Sequence, residues 1–365
     1  MVLTSAQLEQ FDRDGYLFFP SHFSPEEIKK LTDEVPHLYA QQRLENVREK
    51  DTHAVRTNFA AHMYSEPYAR LARHPRMIAP VEQVFGESLY MHQFKINGKQ
   101  AFDGDVWQWH QDYGTWKNDD EMPEPRAMNI AIFLDEVNEF NGPLMFIPGS
   151  HKLGMLDAGH DLTTTSYPLW TIDNESITKL VGRGGIVAPK GPAGSMIMFH
   201  SCLVHASSSN LSPWNRVSVY LSLCAVSNHI RRFKRAGYIA HRDFAPIACL
   251  PDDCLIKDLS GRSTMEKRHA RARTETAFEG RLNNVKTRTH QFPGERSHRS
   301  RLLVLRYFRP DSRRASRRRS GRLNRFCSRR TAGEAYRCAL RFSRGVKCDT
   351  AKLGRAFQEG YRSPR

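Results

Sequence analysis

Short apolar runs alternate with turn-rich segments through the middle of this chain, and their spacing constrains its fold more than any other feature. From about residue 88 the runs read LYMHQFKI, MNIAIFLDEV, PLMFIPGS, GSMIMFH and VSVYLSLCAV. Runs of this length that are rich in branched and aromatic residues are typical of β-strands, and their regular spacing favours an all-β sandwich or barrel. The connection 151–193, rich in Gly, Thr and Pro, is too long for a hairpin and predicts a functional loop or lid over one end of the barrel.

Helical patterns precede this β region. Residues 4–12 and 24–35 are predicted helices on either side of a short strand, Tyr16–Phe19, and residues 66–86 carry a further helical pattern. Ser24 can cap the second of these helices, because its hydroxyl can accept from free backbone N–H groups. The sequence therefore predicts a mainly β fold with flanking helices.

The positive charge is concentrated at the carboxyl-terminal end. The 365 residues carry a formal charge of +16, which by itself would suggest a nucleic-acid or anionic-membrane partner. Residues 258–365 contribute about +21, with Arg outnumbering Lys by about 26 to 4, whereas residues 1–257 carry about −5. This basic segment shows no sustained strand or helix periodicity, so it predicts nonspecific binding of polyanions at most.

Cysteine usage and the amino terminus indicate the compartment. The seven cysteines have neither the density nor the spacing of a disulfide framework or a CxxC zinc site. The first residues, MVLTSAQLEQFDRDGY, lack a basic stretch followed by an apolar run, and no segment approaches about 18 uninterrupted apolar residues. We therefore expect a cytoplasmic protein with no membrane partner, and the sequence leaves its oligomeric state open.

The run WQWHQD places an imidazole and a carboxylate, His110 and Asp112, two residues apart. On an extended strand, residues i and i+2 share a face, so both side chains can reach one cation. A second imidazole, His205, follows the predicted strand GSMIMFH. Two His and one carboxylate on one face of an octahedron leave open positions, as in non-haem Fe(II) oxygenases. Since the chain has 16 histidines, the HxD spacing alone is weak evidence for such a site.

A third element strengthens the metal prediction. Arg216 lies shortly after His205, at the entry of the predicted strand VSVYLSL. Its guanidinium could bind the distal carboxylate of a dicarboxylic cosubstrate through two charge-assisted hydrogen bonds. Taken alone, Arg216 is better explained as a surface residue before a strand. The order HxD, His, Arg within an all-β pattern favours the functional interpretation.

At these residues the sequence resembles the phytanoyl-CoA dioxygenase family of Fe(II)/2-oxoglutarate oxygenases, and within it the bacterial ectoine and free-proline hydroxylases. The resemblance runs from about Leu8 to Lys257. The motifs that carry it are DGY at Asp14, WHQD at Trp109, MPEPRA at Met122 and NGPLMFIPGSH at Asn141.

The resemblance implies a double-stranded β-helix, a cupin-like jelly-roll barrel with iron at its open end and helices packed outside. His110, Asp112 and His205 match the iron ligands, and Arg216 matches the residue that pairs with the distal carboxylate of 2-oxoglutarate. Two polar residues at even spacing on the preceding strand, Gln93 and Asn97, match residues that face the cosubstrate. The implied cofactors are Fe(II) and 2-oxoglutarate, with O2 as the other cosubstrate.

The resemblance also implies four substrate-binding residues. Trp116 and Phe199 match aromatic walls of the substrate pocket, although either could be a core aromatic, and Trp116 is expected in a polar loop. Where ectoine hydroxylases have Arg and Phe, this chain has Lys95 and Tyr220. Because Lys is a point charge rather than a fork, recognition of a carboxylate should differ in geometry from that in ectoine hydroxylases.

These features predict a hydroxylase of a small free cyclic amino acid, with L-proline as the first candidate and ectoine as the second. The reaction couples hydroxylation to decarboxylation of 2-oxoglutarate into succinate and carbon dioxide. Gly114 lies where a larger residue could sit, and this makes the chain more similar to the free-proline hydroxylases than to the ectoine hydroxylases. A different class of function, nucleic-acid binding by the basic end, lacks a recognisable motif, and a non-enzymatic β-barrel that has lost iron is disfavoured by the intact ligand set.

The resemblance predicts a domain boundary near Lys257. Residues 1–257 are expected to form the dioxygenase domain. Residues 258–365 are expected to be an Arg-rich, disordered or nonnative extension, as a shifted reading frame in GC-rich coding sequence would look. The alternative is a genuine basic tail that tethers the enzyme to nucleic acid or anionic lipid.

Overall fold

Two antiparallel sheets form the body of the protein in the computed structural model, which describes residues 1–165 and 167–257. The expectations for residues 258–365 lie outside the described residues. The twelve strands are β1 Tyr16–Phe19, β2 Asn46–Arg48, β3 Val55–Phe59, β4 Leu89–Lys99, β5 Trp107–His110, β6 Ala127–Phe133, β7 Leu144–Phe146, β8 Gly159–Asp161, β9 Leu169–Thr171, β10 Met196–His200, β11 His205–Ser207 and β12 Arg216–Ala225.

The larger sheet has the strand order β1-β10-β6-β12-β4-β3-β2, and the smaller sheet has the order β7-β11-β5-β9-β8. Neighbours in sequence are mostly not neighbours in the sheets, so the chain crosses repeatedly between them. The helices are α1 Ser5–Asp14, α2 Pro25–Thr32, α3 Val35–Ala40, α4 Glu66–Leu71, α5 Pro75–Phe85, α6 Asp112–Asp120 and α7 Asn174–Gly184. The predicted mainly β architecture with flanking helices is confirmed.

Both faces of the larger sheet are buried, which explains the continuous apolar runs in its strands. On β6, Ile130 and Ile132 belong to a core that includes residues of α1, α2, α4 and α5, whereas Ala131 and Phe133 belong to a second core shared with β7. Successive side chains on a strand point to opposite faces, so one strand serves both cores. Strands buried on both faces read as apolar runs rather than as alternating patterns.

Two predicted elements differ from the structure. The helical pattern at 66–86 is two helices, α4 and α5, because His74 precedes Pro75 and adopts an extended conformation that ends the first one. The connection 151–193 is not a plain loop, since it contains β8, β9 and α7. Its strand β9 pairs with β5, so this segment joins the smaller sheet. In the described part of the chain, no helix is long and apolar enough to cross a membrane.

The segment before Lys257 is anchored to the helical layer. The Arg70 guanidinium donates to the backbone carbonyls of Cys254 and Lys257 at 3.1 and 2.8 Å. Arg73 donates to the carbonyl of Ala248 at 2.7 Å. Cys254 and Leu255 are buried in the helix-side core. Residues up to Lys257 therefore belong to the folded body.

This anchoring predicts where the chain can be shortened. A chain ended after Lys257 is expected to keep its free energy of unfolding within about 1 kcal/mol of the full chain, because every described contact is retained. A control chain ended after Pro246 should lose roughly 2–5 kcal/mol, since it loses buried apolar side chains and the Arg70 hydrogen bonds. Urea denaturation measures both values. If the chain ended after Lys257 unfolds, the proposed domain boundary is wrong.

Candidate metal centre and active-site pocket

His110 and Asp112 converge across a strand-to-helix junction. His110 is the last residue of β5, Gln111 remains extended with φ −119° and ψ 130°, and Asp112 is the first residue of α6. The expectation that both ligands lie on one strand holds for His110 but not for Asp112, which belongs to the helix. Because Gln111 is extended, both side chains still point to the same side. The buried Gln111 amide donates to the carbonyls of Gly154 and Cys202 at 2.8 and 2.6 Å, which holds the junction in place.

Strand pairing brings His205 to the same point. His205 begins β11 and pairs directly with His110 of β5. Its Nε2 lies 3.5 Å from Asp112 Oδ2, and His110 Nε2 lies 4.0 Å from Asp112 Oδ1. One ligand atom from each of the three residues lies within 4.8 Å of the other two, and all three residues are buried. The predicted triad is thus brought together by the tertiary structure.

The hydrogen bonds around the triad leave the metal-facing atoms available. Each imidazole directs Nδ1 to a backbone carbonyl, His110 to Gln108 at 2.6 Å and His205 to Leu203 at 2.9 Å. A proton on each Nδ1 leaves the Nε2 lone pair for a metal. Asp112 Oδ2 also accepts a hydrogen bond from Asn129 Nδ2 at 2.8 Å. This donor set of two neutral imidazoles and one oriented carboxylate fits Fe(II).

The protonation states agree with metal binding. Burial lowers the pKa of His110 to about 3, and burial also lowers the pKa of His205. Burial tends to raise the pKa of Asp112, but the nearby Lys95 and His205 outweigh it and hold this pKa below its usual value. The site therefore presents neutral imidazoles and a carboxylate, the forms that bind a metal ion.

Arg216 fits the anchor of a carboxylate. It begins β12 and its side chain is 1% exposed. Its Nη1 donates to the Tyr220 hydroxyl at 3.4 Å, while its buried Nε has no hydrogen-bond partner among the described residues. A buried guanidinium with an unpaired donor is costly unless a ligand supplies the acceptor. The residues therefore also fit the distal carboxylate of 2-oxoglutarate.

Three side chains from alternate positions of β4 face the same cavity, namely Gln93, Lys95 and Asn97. Gln93 Oε1 accepts from Trp116 Nε1 at 3.3 Å, and Asn97 Oδ1 accepts from Thr57 Oγ1 at 3.0 Å. Burial lowers the pKa of Lys95, and the Asp112 carboxylate opposes this shift. The even spacing noted in the sequence thus places two amides and one amine on one wall.

The predicted aromatic walls also line this cavity. Trp116 is not in a polar loop, because it lies within α6 with its side chain 1% exposed. Phe199 lies next to the end of β10, and its ring centroid is 5.1 Å from that of His205. Tyr220 lies with its ring 5.9 Å from Lys95 Nζ. Every predicted site residue therefore lines the same cavity.

The structure adds residues that sequence reasoning missed. The further lining residues are Phe59, Trp107, Thr115, Leu144, Tyr167, Leu169, Ser207 and Arg235. Tyr167 and Leu169 come from the long connection that was expected to act as a lid. Arg235 comes from the run RRFKRAG, which has the composition of a solvated surface. Asn129, which supports Asp112 and accepts from Ser222 at 2.8 Å, lies within an apolar run that gave no functional signal.

The comparisons with known proteins agree with this geometry. The family model for phytanoyl-CoA dioxygenase matches residues 11–218. The chain is 34% identical over 256 residues to L-proline trans-4-hydroxylase of Streptomyces griseoviridis, covering 67% of this chain and 96% of the relative. It is 36% identical to the ectoine dioxygenase of Nocardia farcinica, covering 67% of this chain and 87% of the relative.

A solved structure carries the same fold. EctD from S. alaskensis, solved with 2-oxoglutarate and 5-hydroxyectoine, superposes with a TM-score of 0.62 at 33% identity, covering 68% of this chain and 87% of that one. A second structure of that protein, with bound Fe, has a TM-score of 0.61 at 32% identity. The double-stranded β-helix fold and the cofactors Fe(II), 2-oxoglutarate and O2 follow from these matches. The chain belongs to the phytanoyl-CoA dioxygenase family of 2-oxoglutarate-dependent oxygenases.

Proposed function

We propose that the protein hydroxylates a small free cyclic amino acid, with L-proline as the first candidate, and couples this to decarboxylation of 2-oxoglutarate into succinate and carbon dioxide. One observation carries the proposal. A single buried cavity joins the His110, Asp112 and His205 triad to two cations, Arg216 and Lys95. One cation suits the cosubstrate, and the other suits a substrate carboxylate.

Each residue has a role that its contacts support. His110, Asp112 and His205 would hold Fe(II), which together with 2-oxoglutarate and O2 supplies the oxidising chemistry when bound. Asn129 orients Asp112 through its hydrogen bond. Arg216 would bind the distal carboxylate of 2-oxoglutarate, and the amides of Gln93 and Asn97 would face the same cosubstrate. The surrounding aromatic side chains exclude water, which protects a reactive centre from side reactions.

The pocket walls favour a compact substrate. Trp116, Phe199 and Tyr220 surround the region near the triad and are all buried. A small ring can pack on such aromatic faces, and a charged group can then be recognised at one point by Lys95. Apart from its chain neighbours and the backbone of its own helix, a Cβ placed on Gly114 would meet no atom within 4 Å, so a larger residue could sit at this position.

Ectoine is the second candidate substrate. Its support comes from the similarity to ectoine dioxygenases, of which that of Nocardia farcinica is 36% identical to this chain. Lys95 argues against ectoine. Ectoine hydroxylases resemble one another in having Arg at this position, and a Lys ammonium cannot bind a carboxylate through the two parallel hydrogen bonds that a guanidinium offers. A direct comparison of both compounds separates the two candidates.

A substrate panel tests the proposal. The full-length protein, supplied with Fe(II) and 2-oxoglutarate, is expected to release succinate with L-proline at several times the rate of the uncoupled reaction without substrate. Ectoine, other free amino acids and an acyl-CoA thioester complete the panel. Mass spectrometry identifies the hydroxylated product. A panel in which only the acyl-CoA thioester is turned over would refute the small-substrate proposal.

The variant Lys95→Ala tests whether Lys95 binds the carboxylate of the substrate. Loss of a buried charge that binds a carboxylate costs roughly 2–5 kcal/mol, so the KM for L-proline should rise by at least about tenfold. The neighbouring exposed Lys117→Ala serves as the matched control and should leave this KM unchanged. An unchanged KM in Lys95→Ala would remove Lys95 from substrate binding.

The proposed setting is the cytoplasm, with a small molecule as the partner. Its support is that the four cysteines of the described residues, Cys202, Cys224, Cys249 and Cys254, are free thiols. Thiols persist in a reducing compartment, where free amino acids and 2-oxoglutarate are present as metabolites.

A further inference from the structure

One cation of the cavity comes from a part of the chain that the family match does not cover. Arg235 follows β12, whereas the family model ends at residue 218. Its side chain is 12% exposed and lines the same cavity as Lys95 and Tyr167. Its neighbours differ, because Arg232 and Lys234 have side chains that are mostly exposed and pair with Glu121 and Asp119. Arg235 is the member of this basic run that turns inward.

A buried carboxylate fixes the orientation of the Arg235 guanidinium. Its Nε donates to Asp120 Oδ1 at 2.9 Å and to Oδ2 at 3.0 Å, and Asp120 is fully buried. Its Nη2 also donates to Asp120 Oδ2 and lies 3.5 Å from His92 Nε2. The Tyr167 hydroxyl lies beside the same guanidinium, which opposes the effect of burial on the Tyr167 pKa. A guanidinium has more N–H donors than these contacts use, so donors remain for a ligand.

The charges that line the cavity favour an anion beside Lys95 and Arg235. Among the described lining residues the cations are Lys95, Arg216 and Arg235, and the only acid is Asp112. Asp112 belongs to the metal triad, Arg216 is assigned to the cosubstrate, and Asp120 balances Arg235. Lys95 forms no ion pair within the described residues, and it lines the same cavity as Arg235. The positive charge of Lys95 is therefore left for a ligand.

We propose that Arg235 is a specificity-determining residue, which receives the substrate carboxylate together with Lys95 while Asp120 holds its guanidinium in orientation. This inference rests on the proposed function and deepens it. The ligand class is a free amino acid with one carboxylate next to its ring. A carboxamide of the same shape lacks the charge, leaves Lys95 unpaired and cannot accept charge-assisted hydrogen bonds from Arg235, so it should be a poor substrate.

The test compares L-proline with L-prolinamide, which differ at the carboxylate. Arg235→Gln in the full-length enzyme is expected to lower the ratio of kcat/KM for L-proline to that for L-prolinamide by at least about tenfold. The KM for 2-oxoglutarate should stay within about twofold of wild type, because Arg216 is intact. Arg232→Gln, an exposed neighbour in the same segment, is the matched control and should keep the wild-type ratio. An unchanged ratio in Arg235→Gln overturns the proposal.

Two further variants separate recognition from folding. Arg235→Gln leaves Asp120 buried without its cation, which can destabilise the protein. The double variant Asp120→Asn with Arg235→Gln removes both charges and should show the same fall in the ratio, and Arg235→Lys should recover part of it. Equal losses for L-proline and L-prolinamide would show that Arg235 only supports the pocket wall, and so would overturn the inference alone. Wild-type enzyme that turns over neither L-proline nor any other free amino acid or ectoine would instead contradict the proposed function, and this inference with it.

Discussion

His110→Ala and Asp112→Ala are each expected to reduce succinate formation to less than about a tenth of the wild-type rate, because each removes one of three protein ligands from the metal. One ligand atom from each of His110, Asp112 and His205 lies within 4.8 Å of the other two, and among the described residues no other group of three such side chains is placed to hold a metal. Succinate release with L-proline measures turnover. Anaerobic addition of Fe(II) and 2-oxoglutarate should give a weak visible charge-transfer band in wild type, and this band should be lost in both variants.

The control for these variants is His37→Ala, which removes an exposed histidine of α3 and should retain both turnover and the band. Thermal unfolding of the metal-free proteins verifies that the fold is intact. The variants should unfold within a few degrees of wild type, because the removed side chains contribute mainly to the cavity. Turnover above about a tenth of wild type in either variant would disprove the iron assignment.

Arg216→Ala is expected to raise the KM for 2-oxoglutarate by more than about 30-fold, since loss of a charge-assisted pair in a buried site costs on the order of 2–5 kcal/mol. The side chain is buried and its Nε lacks a partner among the described residues, so a carboxylate would complete its hydrogen bonds. Arg216→Lys should lie between wild type and Arg216→Ala, because it keeps the charge and loses the fork.

Steady-state kinetics with varied 2-oxoglutarate measure this effect, and Arg183→Ala on the exposed side of α7 is the matched control. At saturating 2-oxoglutarate, the KM for L-proline should change much less than the KM for 2-oxoglutarate. An unchanged KM for 2-oxoglutarate in Arg216→Ala would place the cosubstrate anchor elsewhere. An equal rise in both KM values would point to a general collapse of the pocket.

Five of the seven strands of the larger sheet were predictable because their signal is local, whereas β2 and β3 were not predicted. β4, β6, β10 and β12 coincide with apolar runs, and burial on both faces makes each run stand out from the polar turns around it. The short strand β1 was predicted at its observed bounds. The strands of the smaller sheet were harder to predict, because most have three residues and little apolar contrast, and β8 and β9 lie in a segment that was expected to be a loop.

The sequence by itself predicted that His110, Asp112, His205 and Arg216 share one site, because the HxD spacing and the order of the later His and Arg are both written along the chain. Tertiary structure alone decided that Asp112 is the first residue of a helix, that Trp116 of the same helix is buried, and that Arg235 turns toward the cavity. The physical reason is that each of these depends on partners far away in sequence. Arg235 is oriented by Asp120, which lies 115 positions earlier. A basic run shows only its charge in the sequence, and a buried carboxylate elsewhere decides which of its residues faces the cavity.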